Sequence, residues 1–169
     1  PYIGIQEIDW DFRRYYETIY ETAQGRFDLY SLFVERATQI LKHKGSFSFI
    51  VPGKFLNNKQ FVAARKLIAN NHHNVRVVAI LDKVFDKAQV NSAIVEFTYS
   101  HGKQTYTSFT CEKEKFKKKS SVPLSKIQND KQYVFRIDIN PEIDRIIEKI
   151  RENTIPLKEI AEVKDGIVA

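Results

Sequence analysis

The middle of the chain constrains the fold most, because two helix-like stretches alternate there with three short apolar runs. In "RFDLYSLFVERATQILKHKG" the apolar residues Leu29, Leu32, Phe33, Ala37, Ile40 and Leu41 recur at helical spacing, which predicts a helix over 28–43. Asp28 stands where a carboxylate favours the helix dipole. Lys42, His43 and Lys44 stand at the opposite end, and Gly45 suits the position just past it. "SFSFIVP" is aromatic and β-branched, closes on Pro52 and predicts a buried strand over 46–51. "NNKQFVAARKLIANN" has Phe61, Ala64 and Ile68 on one stripe, with Asn57 or Asn58 to start it and Asn70 or Asn71 to end it, which predicts a helix over 58–70. "VRVVAILD" (75–82) and "NSAIVEFTYS" (91–100) read as two more strands. Helix, strand, helix, strand, strand is the order of an α/β sheet with a hairpin at its edge. The strand that should open such a sheet is expected just before Pro1.

Past residue 100 the pattern weakens. "QTYTSFT" and "YVFRID" look like strands, and "EKEKFKKKSS" between them reads as a solvated charged loop, with nucleic-acid contact as the alternative. "NPEIDRIIEKIREN" predicts a further helix: Pro141 suits the first turn, Glu142 and Asp144 its dipole, and Ile143, Ile146, Ile147 and Ile150 share one face. Pro156 marks a new start. The expected division is therefore 1–153, with variable strands and a basic loop over 101–138, and then 154–169.

Composition narrows the classes. With 169 residues, 43% apolar and 28% charged, the chain suits one globular core. No apolar run approaches the ~18 residues that span a bilayer, and no signal-peptide pattern opens the chain. Cys111 is the single cysteine, so neither an intrachain disulfide nor a zinc site is expected, which fits a reducing cytoplasm. His72-His73 falls at a helix end, where it favours the dipole; the further ligands of a metal site are not evident. The net charge of +6 suits a polyanionic partner, although many soluble proteins carry as much. The chain has no methionine, so it is expected to be a processed, excised or truncated piece.

An ordered series of motifs adds a resemblance: "PYIG", "GRFDLYSLFVERATQILKHKGSFSFIVPGKFL", "LDKVFDKAQVNSAIVEF" and "IPLKEIAEVKDGI". The series resembles the TaqI-like (gamma-class) N6-adenine DNA methyltransferases of type II restriction-modification systems, over nearly the whole chain and least over 101–135. The resemblance implies a partial Rossmann-like, S-adenosylmethionine-dependent methyltransferase fold, of which this chain holds the second half of the sheet. Residues 154–169 would begin the target recognition domain. Pro1 and Tyr2 match the second half of the family's catalytic Asn-Pro-Pro-Tyr, whose Asn would lie upstream. Tyr2 and Phe85 would then stack on the two faces of a flipped base. Lys54, Lys83 and Lys87 are candidate DNA contacts, with a merely solvated lysine as the plainer reading of Lys54.

The chemistry explains the residue types. An exocyclic adenine amine is a poor nucleophile because its lone pair is delocalised into the ring. An Asn side chain and a Pro carbonyl that accept its two hydrogens would aim that lone pair at a methyl group, which is positioning plus electrostatics. The base must first leave the duplex and lie against aromatic faces. The glycines Gly4, Gly25, Gly45, Gly53, Gly102 and Gly166 never form a G-x-G cluster, so the main cofactor site is expected upstream and the piece alone is expected to be inactive. The implied partner is double-stranded DNA, with a fused or separate restriction endonuclease, no membrane and no metal. Two other readings stand beside it: a non-catalytic DNA-binding module of the same shape, and an amino-methyltransferase acting on RNA or protein.

Overall fold

The computed structural model describes residues 2–84, 91–99 and 104–162; Pro1, Phe85 and Lys87 lie outside them. The elements run α1 (Trp10–Ile19), α2 (Leu29–Ile40), β1 (Ser46–Pro52), α3 (Val62–Asn71), β2 (Asn74–Ile80), β3 (Ser92–Thr98), β4 (Thr105–Glu112), β5 (Lys115–Pro123), α4 (Ser125–Gln128), α5 (Pro141–Glu152) and α6 (Leu157–Ile160). They group into two compact units, Pro1–Asp138 and Ile139–Ala169.

One five-stranded sheet carries the first unit, in the order β1-β3-β2-β4-β5. The expected hairpin of β2 and β3 forms, but β3 enters between β1 and β2, antiparallel to both. The edge hairpin is instead β4–β5, with β4 parallel to β2. One sheet face is apolar and internal: Val51, Val75, Val77, Ala93, Val95, Phe97 and Tyr106 are all buried on it. Phe97 lies 4.3 Å (ring centroids) from His72 at the end of α3, and Tyr106 lies 5.8 Å from Phe135. Tyr30, Phe55 and Phe61 form a second aromatic group, with centroids 5.2–6.1 Å apart.

The sequence reading needs five corrections. Helix α1 was not anticipated, although Phe12, Tyr15, Tyr16 and Ile19 have helical spacing behind an N-capping Asp9. "EKEKFKKKSS" is not a loop: from Lys115 onward it is the edge strand β5, whose lysines face solvent while Ser120 turns in. "YVFRID" is not a strand, because the carbonyls there and just before it serve side chains. Gln132 and Tyr133 accept from Arg65, Arg136 accepts from the Tyr106 hydroxyl, and Ile137 accepts from Ser108. The residue in the left-handed region after α2 is Lys44 (φ 63°) rather than Gly45. Gly45 is needed for another reason, since a Cβ there would stand 2.7 Å from the Lys42 carbonyl oxygen.

The fifth correction is His72, which does not serve the dipole of α3 as a cation. Its ring is 2% exposed and both ring nitrogens are buried without a hydrogen bond. Burial, and then the neighbouring His73, lower its pKa to about 4. The unfolded chain takes up this proton near pH 6.5 and the folded protein does not, so the stability is fully present above that pH and is lost as pH falls toward 4. Each pH unit in that window should remove up to about 1.4 kcal/mol through this one residue. Urea midpoints at pH 7, 6 and 5 should therefore fall faster for the wild type than for His72→Phe. Equal losses in the two proteins would mean that His72 is charged in the fold.

The second unit holds α5 and α6. Asn140 caps α5 by accepting from the Glu142 amide at 2.9 Å, and Pro141 occupies the first turn. Ile143, Ile146, Ile147 and Ile150 form the expected stripe and are exposed among the described residues. No helix among the described residues is long and apolar enough to cross a membrane.

Candidate functional site

Because β1, β2 and β4 run the same way, Pro52, Ile80 and Glu112 end at one rim of the sheet. A cleft of about 590 Å³ opens there, lined in part by Gly53, Lys54, Asn57, Ile80, Leu81 and Asn91. Two clamps hold the chain around it. The Gly53 amide donates to the Asn91 carbonyl at 2.6 Å, an approach so close that a Cβ on Gly53 would meet that oxygen at 3.1 Å. The Leu81 amide donates to Cys111 at 2.9 Å, and the Asp82 carboxylate accepts from the Lys113 amide at the tip of the β4–β5 hairpin. Asp82 and Asn91 are thus each fastened to a neighbouring element.

Tyr2 reaches the same end of β1. Its hydroxyl donates to the Ile50 carbonyl at 2.6 Å, and its ring lies nearly parallel to Phe49 (6.1 Å, 16°) and tilted to Tyr30 (6.0 Å, 46°). Yet 48% of Tyr2 stays exposed. The backbone fixes this placement: the Leu29 amide donates to the Ile3 carbonyl at 2.9 Å, and Gly4 bridges to Asp28. Partial burial raises the Tyr2 hydroxyl above the usual phenol pKa, so it stays protonated and keeps donating.

Asp28 precedes α2 but does not cap it with its side chain. Its carboxylate instead pairs with the Lys54 ammonium at 2.8 Å, which itself sits 5.7 Å from the centre of the Phe61 ring. Behind this pair, burial first, and then the Asp28 charge, push the Tyr30 hydroxyl well above the usual phenol range. A sequence cannot separate an N-capping Asp from an ion-pairing one, because the residue type and position are the same.

The structure therefore brings Tyr2 and Lys54 to one rim, and Lys83 lies exposed just past Asp82 on that rim. Any phosphate contact from Lys54 would have to share or break the pair with Asp28. Pro1, Phe85 and Lys87 fall outside the described residues. Phe49, the support beneath Tyr2, was not singled out from sequence; it was read only as part of the buried strand over 46–51.

Comparison with known proteins gives related matches. The model of the Eco57I restriction-modification methylase family matches residues 1–85. An Escherichia coli protein, "Type II restriction enzyme and methyltransferase RM.Eco57I", is 33% identical over 64 residues, which is 38% of this chain and 6% of that protein. From Thermus thermophilus, "Type II methyltransferase M.TthHB8I" is 27% identical over 82 residues, 48% of this chain and 19% of that one. The chain thus spans a small part of either relative. Among solved structures, the type IIG restriction endonuclease BpuSI aligns with a TM-score of 0.54 over 89% of this chain and 21% of its own, at 11% identity. The DrdV–DNA complex aligns with 0.51 over 69% and 14%, at 15% identity. At those identities the likeness is one of fold, and it agrees with the partial Rossmann-like reading of the sheet.

Proposed function

The chain belongs to the Eco57I restriction-modification methylase family, and from that premise we propose that it forms the base-binding half of a site-specific DNA methyltransferase acting on adenine N6. The observation that carries the proposal is Tyr2. Its ring is backed by Phe49, tethered through its hydroxyl to Ile50, and half exposed at the carboxyl rim of the sheet. That is how a stacking face must be held, and residue 2 lies within the stretch that matches the family. Phe85, which lies outside the described residues, is proposed as the opposing face from its place in the motif.

The methyl donor implied is S-adenosylmethionine, but the cleft does not fit it. Among the described residues no carboxylate lines the cleft to meet a ribose diol, and Gly53 is an isolated glycine rather than part of a glycine-rich turn. What this chain supplies is a face for the base and a rigid rim that positions it. Residues 154–169 are proposed as the start of a target recognition domain. A restriction activity, on the same chain or on a partner, is proposed from the name of the Escherichia coli relative, and cytoplasmic DNA is the proposed substrate.

The test is product analysis. The full-length protein, incubated with labelled S-adenosylmethionine and mixed-sequence duplex, should yield N6-methyladenine after digestion. Label in protein or RNA, or N4-methylcytosine, would overturn the reading. In the same assay Phe85→Ala should lower methylation, and less so when the target adenine is mispaired, since less unstacking is then required. If Phe85→Ala matches the wild type on both substrates, Phe85 does not touch the base.

A further inference from the structure

We infer that the β4–β5 hairpin is a phosphate-gripping ribbon that holds the DNA backbone beside the base site. The inference rests on the DNA reading given above and extends it to an element outside the aromatic site. Residues 112–119 read "EKEKFKKK", five lysines against two glutamates. All residues from Lys115 to Lys119 are exposed, and among the described residues none of the five lysines forms an ion pair. The hairpin therefore carries an excess of positive charge, which is the condition under which lysines meeting phosphates release counterions.

The geometry distinguishes this from an ordinary charged surface. The parallel pairing of β2 with β4 carries the hairpin tip to the same rim as the cleft, and the Asp82 carboxylate holds the tip there through the Lys113 amide. Lys113 (φ 47°) and Glu114 (φ 60°) both lie in the left-handed region, a tight two-residue turn built without glycine. Such backbone carries strain and persists where the surroundings fix it. A bulge follows: Ser108 faces Ser120, but Phe109 faces Lys118, so Lys119 is the extra residue. The bulge turns Ser120 inward while Lys115 and Lys117 remain on one face and Phe116 and Lys118 on the other. From Lys115 to Lys119 the ribbon spans roughly 13 Å at strand rise, enough to face neighbouring phosphates. Lysines also guard sheet edges against self-pairing, and that purpose makes a different prediction.

The experiment measures binding of the full-length protein to a fluorescent mixed-sequence 30-bp duplex across a salt series. The triple variant Lys115→Gln, Lys117→Gln, Lys118→Gln is compared with Lys42→Gln, Lys44→Asn, Lys66→Gln. The second triple removes the same charge, and Lys42 and Lys44 stand before β1, at the opposite end of the sheet. The hairpin triple should bind about ten-fold or more weakly. Its slope of log K against log salt should be shallower by roughly 2–3, near 0.9 per lost contact. The control triple should keep the wild-type slope, and both should keep the wild-type melting temperature. Equal slopes for the two triples would overturn the inference. So would a hairpin triple that self-associates while binding DNA as the wild type does, because the lysines would then be edge protection. A wild type that binds no duplex at all would overturn the DNA reading, and this inference with it.

Discussion

Replacing Arg65 with methionine is expected to destabilise the first unit by about 3–5 kcal/mol, enough to lower its melting temperature by roughly 10 °C. Arg65 is fully buried on α3, yet it has no ion-pair partner among the described residues. Four backbone carbonyls receive its guanidinium: Phe55 at 2.6 Å, Gln132 at 2.8 Å, Tyr133 at 2.9 Å and Asn58 at 3.0 Å. Burial lowers its pKa to about 10, opposed by Asp130, so it remains charged at neutral pH. Methionine fills similar volume and relieves the desolvation of the charge, but it leaves those carbonyls buried without donors. Arg65→Lys should recover only part of the loss, because one ammonium cannot reproduce a planar fork aimed at two separate loops. Urea denaturation of the three proteins decides it. A methionine variant within 1 kcal/mol of the wild type would mean that water replaces the guanidinium at little cost.

The second large effect concerns Tyr2. In the full-length enzyme Tyr2→Ala should weaken target-base binding by about 1–3 kcal/mol, some five- to 150-fold, with only a small change in melting temperature. A half-exposed ring contributes less to folding than a buried one, for which truncation costs about 3–5 kcal/mol. Tyr2→Phe keeps the face but frees it from the Ile50 carbonyl. It should retain most methylation, with a loss on the scale of one hydrogen bond, about 0.5–1.5 kcal/mol. Methylation rates and the fluorescence of a 2-aminopurine target report the two variants independently of melting. A Tyr2→Ala protein that melts far earlier yet methylates normally per folded molecule would make Tyr2 a packing residue.

Local signals in the sequence were read well where they act locally. Helix α2, helix α3 and strands β1 to β3 came from apolar spacing and β-branched runs, and each lies within a few residues of its expected span. Apart from helix α1, whose local spacing and Asp9 cap went unread, what was missed depends on partners distant in the chain. The strand-like "YVFRID" is held open by donors from Arg65, Tyr106 and Ser108, residues 29 to 68 positions away. The strand β5 hides in a lysine run because an edge strand needs only one buried side, and here it has little of that. The support of Tyr2 by Phe49 and the pairing of Asp28 with Lys54 likewise join separate elements. The aromatic residue itself was identified by its place in a motif.

The insertion of β3 has a consequence for how the chain is made. Among the described residues β1 pairs only with β3, and β2 is synthesised between them. When β1 and β2 have both left the ribosome, they point the same way with a gap one strand wide, and neither can close on the other. At about 5–20 residues per second the wait from β1 to the end of β3 lasts a few seconds. Helix pairing of α2 with α3 can begin during that interval, but β1 cannot yet join the sheet. β1 joins the sheet when β3 enters between it and β2, and β4 and β5 add afterwards on the far side of β2. Nascent chains stalled before Thr98 therefore hold β1 without the strand it pairs with among the described residues.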